Sequence, residues 1–149
     1  GTVITPIQVR QVQDAGATCA VAPGMNALVL QAAIEAQLPF APGIATPSEI
    51  EQALEFDCDI LKFFPAEPMG GGKYLKSMQA PYAHLGLQFI PLGGLTAENA
   101  EDYLRDDIIL AVGGSWIASA SAITSGDWVG ITERSDAVMQ QSELESNTN

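Results

Sequence analysis

Lys62 stands in Asp59-Ile60-Leu61-Lys62-Phe63-Phe64-Pro65, the only cation within a strongly apolar stretch of strand character. Strand alternation places Ile60, Lys62 and Phe64 on one face. A buried ammonium without a partner is costly, so such a group lowers its pKa, and a desolvated neutral lysine is a nucleophile toward ketones. The competing reading is an edge lysine whose stem lies on apolar surface while its head reaches water. A second signal lies downstream. Gly93-Gly94 follows the β-like run Leu87–Pro91, and Gly113-Gly114-Ser115 follows Ile108–Val112. Glycines let backbone N–H groups approach an anion, a following helix N-terminus adds its dipole, and Ser115 offers a hydroxyl. Two tight turns needing positive φ would leave the same trace.

These residues need a scaffold, and the chain supplies a βα rhythm. β-like runs fall at Thr18–Ala22, Pro39–Ala41, Asp59–Phe64, Leu87–Pro91 and Ile108–Val112, most of them ending at Gly or Pro. Between them lie helical segments. Thr5-Pro6 opens one that runs to Gly16, Asn26–Ala36 is apolar at helical spacing, Thr46-Pro47-Ser48-Glu49 reads as a capping box, and Thr96-Ala97-Glu98-Asn99 repeats the pattern. Alternating strands and helices predict an α/β fold with parallel strands covered on both faces. An open doubly wound sheet and a (β/α)8 barrel compete. No GxGxxG follows the first strand, and glycine pairs after two late strands are what a barrel phosphate site shows. The count is five strands, with Gly1-Thr2-Val3 as the tip of a sixth. A barrel reading therefore places two strands and most of a third before Gly1, and the sequence then reads as a fragment, a truncated open reading frame or one part of a split protein. Residues 1–139 form the domain and the polar 140–149 a frayed tail.

Composition narrows the function. Of 149 residues, 18 are acidic and 6 are Lys or Arg, a formal charge of −12 that repels nucleic acid and anionic membranes. No apolar run spans a bilayer, and no basic segment followed by an apolar one opens the chain as a signal peptide does. Cys19 and Cys58 lie in apolar stretches without CxxC spacing and read as buried free thiols of a reducing cytoplasm. With a single histidine, no metal site is expected. His84 reads as solvent-facing, Glu67 as a structural acid with a catalytic role as the minor alternative, Trp116 and Trp128 as packing residues, Lys73 and Lys76 as a solvated helix face, and 69–72 as a mobile loop.

Read together, Gly1-Thr2-Val3, Ala22-Pro23-Gly24, Pro42-Gly43-Ile44-Ala45-Thr46-Pro47-Ser48-Glu49, Leu61-Lys62-Phe63-Phe64-Pro65-Ala66-Glu67, Pro91-Leu92-Gly93-Gly94-Leu95 and Gly113-Gly114-Ser115-Trp116 closely resemble 2-keto-3-deoxy-6-phosphogluconate (KDPG) and 4-hydroxy-2-oxoglutarate (KHG) aldolases. The resemblance covers all but the last 20 or so residues. It implies a trimeric (β/α)8 barrel, present here over roughly strands 3–8, and a cytoplasmic class I lyase that needs no cofactor and acts on a small keto acid or sugar phosphate. By the same resemblance Lys62 forms the imine, Thr2 helps hold the pyruvate carboxylate, and Pro23 and Phe64 line the pocket. Gly93, Gly94, Gly113, Gly114 and Ser115 match the phosphate side. Two departures stand out. The family's catalytic glutamate and carboxylate-gripping arginine fall before Gly1, and Leu92 stands where a threonine is common. A related aldolase for the galactonate epimer and a non-catalytic sugar-phosphate binder are the rivals.

Overall fold

A computed structural model describes residues 2–146, with side chains described through residue 140. Helices α1 (Pro6–Asp14), α2 (Ala27–Glu35), α3 (Pro47–Leu54), α4 (Gly71–Gln79), α5 (Ala97–Leu104), α6 (Ala120–Ser125) and α7 (Trp128–Ser146) alternate, through α5, with strands β1 (Ala20–Val21), β2 (Phe40–Ala41), β3 (Gly43–Ile44), β4 (Ile60–Phe63) and β5 (Gln88–Pro91). Their boundaries follow local chemistry. Thr5 caps α1 in a full capping box with Gln8, Asn26 accepts from the first amides of α2, and Thr96 with Asn99 boxes α5. Thr46 caps α3, but Glu49 reaches one residue further back than a box requires, accepting from the Ala45 N–H at 2.8 Å and the Thr46 hydroxyl at 2.8 Å.

Every strand pair is parallel, and each strand lies beside its neighbour in the chain. The Val3 N–H bonds Val21 O at 3.2 Å, β1 pairs with β2, and β3 pairs with β4, which pairs with β5. β2 and β3 are one stretch of chain bent at Pro42, which has no N–H for the ladder while its carbonyl accepts from Lys62 at 2.8 Å. The Pro42-Gly43 pair, read from sequence as the end of a strand, therefore lies inside one. Beyond β5, the expected strand Ile108–Val112 makes a single bridge, Ile109 opposite Phe89. Leu110 and Ile108 bond Phe89 on one side while Ile109 N–H turns back to Asp106 O, so no full ladder forms. Strand order never reverses, so the switch-point crevice of a doubly wound sheet does not arise. Among the described residues no backbone hydrogen bond joins Val3 to residues 108–112, and the sheet is not closed.

Alternation divides the sheet into an outer and an inner face. Leu61, Phe63 and Phe89 are fully buried on the outer face, in a core with Ile44, Ile50, Leu75 and Leu87. Val3, Val9, Ala20, Val29, Ala33 and Leu38 form a second core beneath α1 and α2. The opposite face carries Ile60 and Lys62. A cavity of about 450 Å³ is lined by Ile60, Ile90 and Leu110 together with residues leading into the strands, Cys19, Pro39 and Asp59 among them; Lys62 is not part of its lining.

Several expectations need correction. Glu67–Met69 forms a 3-10 turn and α4 starts at Gly71, so 69–72 is ordered structure, with Met69 packed on the main core. Trp116 packs there too, but Trp128 is largely exposed. Cys19 is exposed because it precedes β1 at the cavity rim, whereas Cys58 is half-buried and its thiol is pushed up by burial and then by Asp59 and Asp57. α7 takes in residues 140–146 of the expected frayed tail, and 147–149 lie outside the described residues. His84 and Lys73 are exposed as expected, and Lys76 pairs with Asp106 at 2.9 Å.

Candidate active site

Because the strands are parallel, their C-terminal ends share one rim, where sites in such folds gather. Lys62 is the penultimate residue of β4, in register with Gly43 on one side and Ile90 on the other. It is 7 % exposed, the only charged residue in the buried set among the described residues. Its Nζ lies 4.8 Å from the centroid of the Phe64 ring, and no salt bridge or side-chain hydrogen bond reaches it among the described residues. Desolvation holds its pKa below the ordinary lysine value. A charged lysine gains from the ring face.

Phe64 connects the amine to the first glycine pair. Gly93 has φ +95° and Gly94 φ +83°, a left-handed succession that side chains resist. A Cβ on Gly93 would lie 3.0 Å from the Phe64 ring and 3.1 Å from Pro65 Cα. The turn is thus pressed onto the ring that carries the Lys62 amine. Ala66 N–H donates to Leu92 O at 2.8 Å and Glu67 N–H to Gly93 O at 3.0 Å, tying the chain after β4 to the chain after β5.

The second pair differs from the first in backbone type. Neither Gly113 nor Gly114 has positive φ. Gly113 instead makes room for Leu92, whose Cδ2 would lie 3.2 Å from an added Cβ, and Gly114 lies under the Trp116 ring. Leu92 therefore sits between the two pairs. Ser115 is exposed in the turn that follows.

Pro23 closes the side of β1. Its carbonyl crosses directly over Gly43, the register partner of Lys62, and Gly24 O accepts from Gly43 N–H at 3.3 Å. Thr2 is exposed and three strands away from β4; among the described residues no hydrogen bond joins it to Lys62. Lys62, Phe64, Gly93 and Gly94 thus form one contact group, with Pro23 reached through Gly43; Thr2 and Ser115 share the rim without touching that group. Sequence reading missed Gly43. Its signal was present, a glycine inside an apolar run, but was masked by the preceding proline. It also missed Tyr103, an unremarkable helix residue whose hydroxyl donates to Glu67 at 2.6 Å.

Imine formation needs the neutral amine, so borohydride trapping of pyruvate on this protein is expected to accelerate with pH through a midpoint below that of a free lysine side chain. A trapping profile still climbing at the ordinary lysine pKa would show an amine exposed to water.

The fold and this group define a parallel α/β domain that seats a desolvated lysine beside a glycine turn on the C-terminal rim. Residues 1–134 match the family described as KDPG and KHG aldolase. The chain belongs to the KDPG and KHG aldolase family. It is 40% identical over 140 residues to 2-dehydro-3-deoxy-phosphogluconate aldolase of Treponema pallidum, covering 94% of this chain and 66% of that one. It is 38% identical over 144 residues to the KHG/KDPG aldolase of Escherichia coli, covering 97% and 67%. A crystal structure of KDPG aldolase from Legionella pneumophila, with pyruvate captured at low pH as a covalent carbinolamine, superposes with a TM-score of 0.86 at 39% identity, covering 93% and 66%. The chain spans about two thirds of the length of these relatives. Among the described residues no helix is long and apolar enough to cross a membrane.

Proposed function

We propose that Lys62 is the imine-forming residue of a class I aldolase that cleaves 2-keto-3-deoxy-6-phosphogluconate to pyruvate and glyceraldehyde 3-phosphate, and also 4-hydroxy-2-oxoglutarate to pyruvate and glyoxylate. The observation that carries this reading is the Lys62 amine, buried and, among the described residues, in no salt bridge, resting on the ring that the Gly93-Gly94 turn packs against. The unreversed parallel strand order supports an incomplete (β/α)8 barrel corresponding to strands 3–8. A homotrimer of the complete barrel and a cytoplasmic site of action belong to the same reading.

In this mechanism the Lys62 Nζ lone pair attacks the substrate 2-keto carbon, and the oxygen leaves as water to give an iminium. A base takes the C4 hydroxyl proton. The C3–C4 bond then breaks, its electron pair passes into the iminium to form an enamine, and the aldehyde departs. Protonation at C3 and hydrolysis of the imine release pyruvate and restore the amine. Thr2 holds the carboxylate, and Pro23 and Phe64 wall the pocket. Gly93, Gly94, Gly113, Gly114 and Ser115 face the phosphate. No cofactor enters this scheme, because the iminium accepts the electrons.

None of these assigned residues supplies the base, and a positioned general base is worth about 10²–10⁴ in rate. These 149 residues are therefore expected to trap pyruvate at Lys62 under borohydride, with the adduct mapped to its peptide by mass spectrometry. Its turnover of the phosphorylated keto acid should fall below that of a relative of full family length by a factor in that range. Absence of the adduct would leave a sugar-phosphate binder, and turnover equal to the longer relative would show that the chain supplies its own base.

A further inference from the structure

Glu67 has no part in the chemistry above, yet it touches the glycine turn in two ways and ties it to α5 by a third contact. Its backbone N–H donates to Gly93 O at 3.0 Å. Its Cβ and Cγ fill the space over Gly94, at 2.6 and 3.1 Å from where a Cβ there would stand. Its Oε1 accepts from the Tyr103 hydroxyl at 2.6 Å. Tyr103 is 6 % exposed and belongs to α5, the helix that begins three residues past the turn. Burial first, then the bond to Glu67, drives the phenol well above the ordinary tyrosine range, so it stays a donor. Gly71, with φ +64°, admits this pair; a Cβ there would stand 3.1 Å from Glu67 Oε1 and 3.3 Å from the Tyr103 hydroxyl.

An anion bound by glycine amides needs them aimed before it arrives. A turn of two left-handed glycines has many other conformations open to it, since neither residue is restrained by a side chain of its own. Restraint must come from neighbours. Phe64 and Pro65 press on Gly93 from one side, and Glu67 presses on Gly94 while gripping α5 beyond it.

We infer that Glu67 is a positioning residue that, through the Tyr103 hydroxyl, holds the Gly93-Gly94 turn in the form that accepts the substrate's phosphate group. This rests on the reading of that turn as the phosphate seat. Glu67 touches neither Lys62 nor the keto acid in this scheme, so its loss acts on the phosphate end alone.

The test uses this 149-residue chain with ¹⁵N-labelled glycine. Inorganic phosphate is titrated while the Gly93 and Gly94 amide signals are followed, and borohydride trapping of pyruvate at Lys62 is measured in parallel. Glu67→Ala and Tyr103→Phe are each expected to weaken phosphate binding about tenfold, the scale of a lost hydrogen bond to a charged group. Glu67→Gln, which keeps an acceptor oxygen for Tyr103, should stay within about threefold of the parent, less than half a decade. Combining Glu67→Ala with Tyr103→Phe should add little, as for two halves of one contact. Pyruvate trapping should hold within about twofold throughout, a change of under half a kcal/mol. Unchanged phosphate affinity in Glu67→Ala overturns the inference, and so does a parallel fall in trapping, which marks general damage to the fold. A parent whose Gly93 and Gly94 signals ignore phosphate overturns the phosphate seat itself, and the inference with it.

Discussion

Lys62→Met is expected to eliminate the pyruvate adduct and to lower whatever aldolase turnover the parent chain shows by at least about a thousandfold, the scale on which removing a covalent nucleophile acts. The same substitution should not destabilise the protein. Lys62 is buried with its pKa depressed by desolvation, so the folded state releases the lysine proton at a lower pH than the unfolded chain does. Between those two values the unfolded state binds more protons, and stability rises with pH across that window. Below the window the fold bears the full penalty of the buried charge; above the ordinary lysine pKa it bears none. Methionine fills similar space without a charge. The variant should therefore melt higher than the parent at neutral pH, with the difference shrinking as pH climbs through the window. Thermal unfolding of both proteins from pH 7 to 11 measures this. A variant that melts lower at pH 7, or a difference that grows with pH, would contradict a desolvated amine.

Gly43→Ala is expected to cost about 3 kcal/mol of stability, near the upper end for overpacking, and to depress trapping at Lys62. A Cβ at this position meets the Pro23 carbonyl carbon and oxygen and the Gly24 amide nitrogen, all backbone atoms that no rotamer change can move aside. Relief requires β3 to separate from the end of β1. That would stretch the Gly43-to-Gly24 hydrogen bond and disturb the strand in register with Lys62. For a domain of this size the loss corresponds to a fall in Tm of roughly 6–12 °C. Gly24→Ala, one residue along from the same crossing, is the control. An added Cβ there meets nothing within 4 Å, and its effect should stay within about 0.5 kcal/mol. Equal melting temperatures for the two variants would show that the close crossing at Gly43 does not exist in solution.

Much of this architecture was legible before the structure. Helix starts at Thr5, Asn26, Thr46 and Thr96 were readable because capping is a matter of three or four adjacent residues. The strand around Lys62 was readable because its alternation is local, and the lysine stood out against apolar neighbours. The strand at 108–112 was overread. Its composition is that of a buried strand, but a ladder also needs partners, and among the described residues 108–112 pair only with Phe89. The bend at Pro42 was misread for the converse reason. Pro-Gly is local turn chemistry, and here the pairing of its flanks to β1 and β4 overrides it.

The candidate site divides along the same line. Composition and order along the chain were enough to single out Lys62 and both glycine pairs, since an isolated cation in an apolar strand and glycines at strand ends are properties of neighbouring residues. Only the folded chain decided that the Lys62 amine lies on the Phe64 ring, that Gly93 presses the same ring, that Gly113 yields to Leu92 rather than to its own φ, and that Glu67 is bound by Tyr103. Each of those facts is a contact between segments set side by side by the packing of parallel strands. Residues 36 apart, such as Glu67 and Tyr103, carry no mark of one another in the sequence, because what joins them is a distance that exists only once the sheet has formed.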